Sequence, residues 1–302
     1  MHSMLLVARR EWKLLHRSRS AQAAAILVLA IAWLPPLLVS MRAARLGLAP
    51  FADVTPLTLA IAGVILPLLA LLAGADLLAG ELEDGSLVPV VSLPISRRAC
   101  YLGKFLGRAC VMGAFYVLGF GSAGAAIGIL HGPDGWQDYV VVAAGGFLLS
   151  LSCAGIGAAL ASTSRSRVRA YGASLGLWVL LVFALDAGLL AATIGFAPPP
   201  PDNVGHHGHD ELVAPGGSMD AMSDHIEGSR ARTSVVTWLM MLNPVDLFRL
   251  SALTIAPDLS ARWMLFAERA TPPWLIILVG WILWTTVPAA LGMYLFERLP
   301  LA

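Results

Sequence analysis

The side chains of this chain that could do chemistry fall into a few groups. One is a charged stretch from Gly80 to Lys104. It opens with Glu81, Glu83 and Asp84, turns at Gly85-Ser86, crosses the short apolar run Leu87 to Leu93, and closes with Arg97, Arg98 and Lys104. Another is Gly205-His206-His207-Gly208-His209-Asp210-Glu211, followed by Met219, Met222 and His225. Imidazole and thioether suit copper, and imidazole also suits zinc, so His206, His207 and His209 are candidate metal ligands. The alternative is a solvated linker. The last is Asp186, a single carboxylate inside an apolar segment. A charge at membrane depth is costly and must face a bundle interior or cavity, or be protonated. Asp186 is either a pathway or gating residue or a structural carboxylate bonded to a neighbouring helix.

Motifs of the common enzymes are absent. No Gly-x-x-x-x-Gly-Lys-Ser/Thr phosphate loop occurs, so the chain does not hydrolyse a nucleotide in the P-loop manner. There is no His-Glu-x-x-His pair. The reading is therefore not an enzyme, with no cofactor of its own. Cys100, Cys110 and Cys153 lack metal-ligand spacing and read as buried thiols rather than a disulfide framework.

The elements that must position these groups are membrane helices. Of the 302 residues 58% are hydrophobic and only 13% charged, with a mean hydropathy of +0.76. A soluble domain has roughly 45–50% apolar and about 25% charged residues, so the composition is that of an all-α polytopic membrane protein. The net charge of +1 gives no reason to expect nucleic acid. Spans are expected at about 21–41, 55–79, 105–130, 139–162, 171–196 and 274–296, each near the roughly 20 residues a bilayer requires. The first follows a basic stretch without a cleavage pattern and is read as retained.

Residues 1–20 hold an amphipathic helix suited to the headgroup layer and membrane lipid. Leu5, Ala8, Trp12 and Leu15 share one face, while Arg9, Arg10, Lys13 and Arg17 take the others. Arginine and lysine cluster before the first span, at 97–104, at 165–169 and at Arg298. This bias puts both termini in the cytoplasm. Residues 21–302 then form one six-helix domain. Within it, 80–104 is a cytoplasmic loop, 198–232 a flexible outer loop, and 235–256 a re-entrant outer hairpin. The hairpin's second helix has a written start: Asn243 as N-cap, Pro244 at the first position, Asp246 at the third. Its stripe is Val245, Phe248, Ala252 and Ile255. Glycines four apart, Gly124 with Gly128 and Gly172 with Gly176, indicate tight helix packing.

On spacing alone the charged loop could be a docking helix for a soluble partner or an ordinary interfacial loop. Its motifs go further. The run Gly80-Glu81-Leu82-Glu83-Asp84-Gly85-Ser86-Leu87, with Leu93-Pro94-Ile95-Ser96-Arg97 and Leu102-Gly103-Lys104-Phe105, resembles the first cytoplasmic loop of ABC-2 type transporter permeases. With residues 183–189 around Asp186 and the Leu242-to-Leu250 run, the chain looks most like the permeases that serve nitrous oxide reductase maturation. The resemblance covers nearly everything except 198–232.

It implies a homodimer in the bacterial inner membrane, with a cytoplasmic ABC ATPase dimer holding the ATP. Glu81, Glu83, Asp84, Gly85, Arg97 and Arg98 would receive the ATPase stroke. A periplasmic accessory protein would meet the hairpin at Asn243, Pro244, Asp246 and Arg249. The assembly would support formation of the reductase's copper-sulfur sites, with copper a candidate ligand of the outer loop. The alternatives are an ABC-2 exporter of lipid, peptide or ion, and an ATP-independent scaffold for a periplasmic protein.

Overall fold

The computed structural model describes residues 2–42, 49–85, 96–164, 166–184, 238–256 and 273–299, and among these residues there is no strand. The long apolar runs favour this, because a helix satisfies its backbone within one segment in hydrocarbon. The helices are α1 (His2–Arg17), α2 (Arg19–Arg42), α3 (Phe51–Ala75), α4 (Ala79–Glu83), α5 (Arg97–Tyr116), α6 (Ser122–His131), α7 (Trp136–Thr163), α8 (Arg167–Val179), α9 (Pro244–Ile255) and α10 (Trp274–Glu297). A π-turn at Val117–Gly121 joins α5 to α6, and another at Leu180–Ala184 follows α8.

Among the described residues, five stretches are long and apolar enough to cross a membrane: Ala21–Met41, Phe51–Glu83, Arg97–His131, Trp136–Thr163 and Trp274–Glu297. They coincide with the expected first to fourth and sixth spans. Of the expected fifth span, 171–196, the described part ends at Ala184. Residues 86–95 and 185–237 lie outside the described residues, and with them Asp186, His206, His207 and His209.

The bundle is built on α3 and α7, which pack over their whole length. Glycine makes this possible. A Cβ at Gly74 would stand 2.0 Å from the Ala154 carbonyl oxygen, and one at Gly157 would stand 2.1 Å from that of Leu71. Small residues let helix backbones approach where no hydrophobic force separates helix from lipid. α10 packs on the opposite side of α7, with Gly155 against Pro288 and Ala289. The expected glycine pairs differ: Gly124 and Gly128 face Tyr139 and Phe51, whereas among the described residues nothing lies within 4 Å of a Cβ at Gly172 or Gly176.

α9 starts where its caps require: the Asn243 side chain accepts from the Val245 N–H at 3.0 Å. Val245, Phe248 and Ala252 are buried, and Ile255 is exposed. Phe248 fits into the space left by Gly145 of α7 and Gly63 of α3. Both π-turns release a carbonyl, and each is met from another element. Tyr139 donates to Phe120 O at 3.1 Å, and Asn243 Nδ2 donates to Leu181 O at 2.8 Å.

α1 forms; of the expected Leu5-Ala8-Trp12-Leu15 stripe, Leu5 and Trp12 are on the open side, while Ala8 is turned to α5. Met4, Val7, Ala8 and Glu11 lie against Gly103 and Gly107 of α5, and Leu5 and Trp12 are exposed. Those glycines admit the α1 backbone, and Lys104 between them draws Glu11 inward. Cys100 and Cys153 are buried free thiols as expected; Cys110 is free but exposed.

Candidate functional site

One end of the bundle collects the charges. Asp76 caps α3, a turn follows, and α4 carries the acidic group to Gly85, whose φ of +67° makes the turn that glycine allows. Glu81 Oε1 accepts from Lys104 Nζ at 2.6 Å, and Glu11 Oε1 accepts from the same ammonium at 2.8 Å. The Lys104 side chain is only 4% exposed. One buried cation thus ties α1, α4 and α5 together, and its two carboxylates give it the charge partners that burial demands.

The next two acids reach α8. Glu83 Oε2 accepts from the Arg167 backbone N–H at 2.6 Å, at the start of that helix, where N–H groups are free and a negative charge is favoured. Asp84 Oδ2 accepts from Arg167 Nη2 at 3.1 Å. Gly80 lets the Arg167 guanidinium lie close; a Cβ there would meet Nη2 at 2.4 Å.

Arg97 and Arg98 open α5, whose N-cap is Ser96, accepting from the Ala99 N–H at 3.2 Å. Arg97 Nη1 donates to the carbonyls of Glu297 (2.9 Å) and Leu299 (2.8 Å) at the end of α10, groups a helix terminus otherwise leaves unbonded. Arg98 pairs with the Glu297 carboxylate. The first helix, both sides of the charged loop, the start of α8 and the end of α10 therefore meet at one end.

The expected loop residues are thus brought together, but each described one is engaged within the chain. Asp84 and Arg98 keep most of their side chains exposed, at 63% and 69%. The partner Arg167 belongs to the basic cluster expected on the same side as the loop, whereas Glu11 and Glu297 have no part in the sequence-based expectation. A signal was there, since Glu11 is the lone acid in an otherwise basic helix. Lys104 closes the charged stretch in sequence and is the centre of the cluster in the fold.

The described residues at Asn243–Arg249, where an outer hairpin is expected, form a second, separate group. Asn243 Nδ2 donates to Asp246 Oδ2 at 2.8 Å, and Arg249 Nη1 donates to Asp246 Oδ1 at 3.1 Å. Asn243, Pro244 and Asp246 are buried, while Trp238, Leu239 and Leu242 beside them are exposed. Among the described residues, no group of three or more His, Cys, Asp or Glu side chains could hold a metal.

Similarity to known proteins runs along nearly the whole chain. Residues 5–300 match the ABC-2 family transporter protein family. The chain is 30% identical to the probable ABC transporter permease protein NosY of Pseudomonas aeruginosa, over 92% of this chain and 90% of that one. It is 28% identical to the protein of the same name from Stutzerimonas stutzeri, over 75% of this chain and 71% of that one. The chain is a member of the ABC-2 family of transporter permeases.

Proposed function

We propose that the chain is the membrane-spanning subunit of an ABC transporter driven by a separate ATPase, and that it supports periplasmic assembly of the copper-sulfur sites of nitrous oxide reductase. The observation that carries the first half is the convergence of α1, α4, α5, α8 and α10 on one charged end. A push on the 80–104 loop there would reach all five helices. The second half rests on likeness to the NosY permeases along nearly the whole chain.

In this reading the protein is a homodimer in the bacterial inner membrane, N-in and C-in. Two cytoplasmic ATPase subunits holding ATP dock through the Glu81–Arg98 loop. The exposed Leu5, Leu6 and Trp12 of α1 sit in lipid. A periplasmic protein meets the hairpin through Trp238, Leu239 and Leu242, with Asn243, Pro244, Asp246 and Arg249 holding the turn. Asp186 lies on the pathway near the outer gate.

The test is maturation in a strain lacking this chain. The reductase should accumulate without the absorption of its copper-sulfur sites, the wild-type chain should restore it, and Asp186→Asn should restore it only in part. Full maturation in the deletion strain would remove the reductase role, and an unimpaired Asp186→Asn variant would make that carboxylate structural. Copper capture by His206, His207 and His209 predicts Cu(I) binding tighter than micromolar to a 198–232 peptide by titration calorimetry. Binding no tighter than millimolar would leave the histidines a linker.

A further inference from the structure

A cavity of about 350 Å³ lies between α2, α3, α5 and the start of α8. We propose that it holds one acyl chain of an anionic phospholipid from the leaflet on the α1 side, with the lipid phosphate on Arg108. Its lining follows the helices from Ala21 to Val28, Leu66 to Asp76 and Arg108 to Tyr116. At 1.5 Å per residue these are shafts of roughly 10–15 Å. The walls are alanine, leucine, valine, methionine and phenylalanine, and they reach the outer surface of α2, where Ala23 and Leu27 are exposed. The cavity is thus long, apolar and open sideways to lipid.

Its two ends differ in what they offer a guest. At the deep end, Tyr116 and Ser150 are satisfied within the protein, both donating to Gly146 O at 2.9 Å. At the end nearer α1 stands Arg108, its side chain 11% exposed. Nη1 donates to Ala73 O and forms an ion pair with Asp76 Oδ2 at 3.6 Å, too long for a hydrogen bond. The other Asp76 oxygen accepts from the Tyr171 hydroxyl at 2.8 Å. Arg108 Nε is buried and has no partner among the described residues. A buried guanidinium N–H without an acceptor calls for one, and a phosphate oxygen suits its planar fork. Arg19, exposed at the start of α2 two positions before Ala21, adds a second cation at this end. An apolar shaft with a cationic mouth is complementary to an acyl chain with an anionic head.

The experiment is native mass spectrometry of the full-length chain in detergent, titrated with phosphatidylglycerol, with phosphatidylcholine of the same acyl chains, and with oleate. Phosphatidylglycerol should bind about tenfold more tightly than phosphatidylcholine, a preference Arg108→Gln removes and Arg108→Lys largely keeps. Ala24→Trp, which leaves Arg108 in place but fills the shaft, should weaken both phospholipids about tenfold. Equal binding of the two phospholipids to the wild-type chain, or wild-type binding by Ala24→Trp, overturns the proposal. So does displacement of phosphatidylglycerol by equimolar oleate, which would assign the cavity to a free fatty-acid anion.

Discussion

At the residue scale, Lys104 is the side chain on which the charged end depends. Its burial between Glu11 and Glu81 means that removing it leaves two carboxylates facing each other with no cation. Breaking a buried ion pair by deleting one partner costs about 3–5 kcal/mol, while replacing the whole set with neutral groups is far less harmful. Lys104→Met should therefore lower the thermal midpoint in detergent markedly, and adding Glu11→Gln and Glu81→Gln should restore most of it. An unchanged midpoint in the single variant would mean the cluster holds nothing together. The Asp84–Arg167 pair is a different case. It is exposed on both sides, so its net contribution to stability is about 0–1 kcal/mol and its charges remain available to a partner. Reversing Glu81 would disturb the bundle before it tested any docking; reversing Asp84 would not.

At the element scale, local signals were read correctly and distant ones were not. The start of α9 is written in adjacent residues, because an N-cap and a first-position proline act within one turn. The face of α1 that packs is decided by Gly103, Lys104 and Gly107, nearly a hundred positions away, so helical spacing within α1 marks an apolar stripe but not the face that meets α5. Likewise no pattern in Gly172 and Gly176 distinguishes them from Gly74 and Gly157, yet only the latter sit where backbones touch. The π-turns have no sequence signature; only the outside donors Tyr139 and Asn243 reveal why they are tolerated. Of the candidate site, the loop's acidic and basic residues were legible as a group, but their partners on α1, α8 and α10 come from elsewhere in the chain. The glycines make a paired prediction. Gly74→Ala should destabilise by about 1–3 kcal/mol or more, since the backbone of Ala154 cannot yield like a side chain. Gly172→Ala, with open space around it, should be neutral or stabilising by up to about 1 kcal/mol. Thermal unfolding of the two variants checks both, and equal effects would contradict the packing described.

At the scale of the whole molecule, membership in the ABC-2 family and the one-ended charge cluster give the bundle a direction. The end carrying α1 and α4 is polar and cross-tied, and the α9 end is seated deep among α3, α7 and α10. In the coupling reading, force applied at the first end would pass along α3 and α7, whose glycine contacts leave little room for independent sliding. A scaffold that merely holds a periplasmic protein has no need of that cross-tied end. The coupling reading makes the exposed Asp84 and Arg98 the groups a soluble ATPase meets. The direct measurement is affinity purification of the tagged chain from its native membrane, wild type against Asp84→Lys with Arg98→Glu, with the travelling proteins identified by mass spectrometry. The wild-type chain should bring a P-loop ATPase in about equal amount, and the double variant should insert and keep its fold but lose that ATPase. No ATPase with the wild-type chain, or an undiminished one with the variant, would contradict the claim that this end receives the work of ATP hydrolysis.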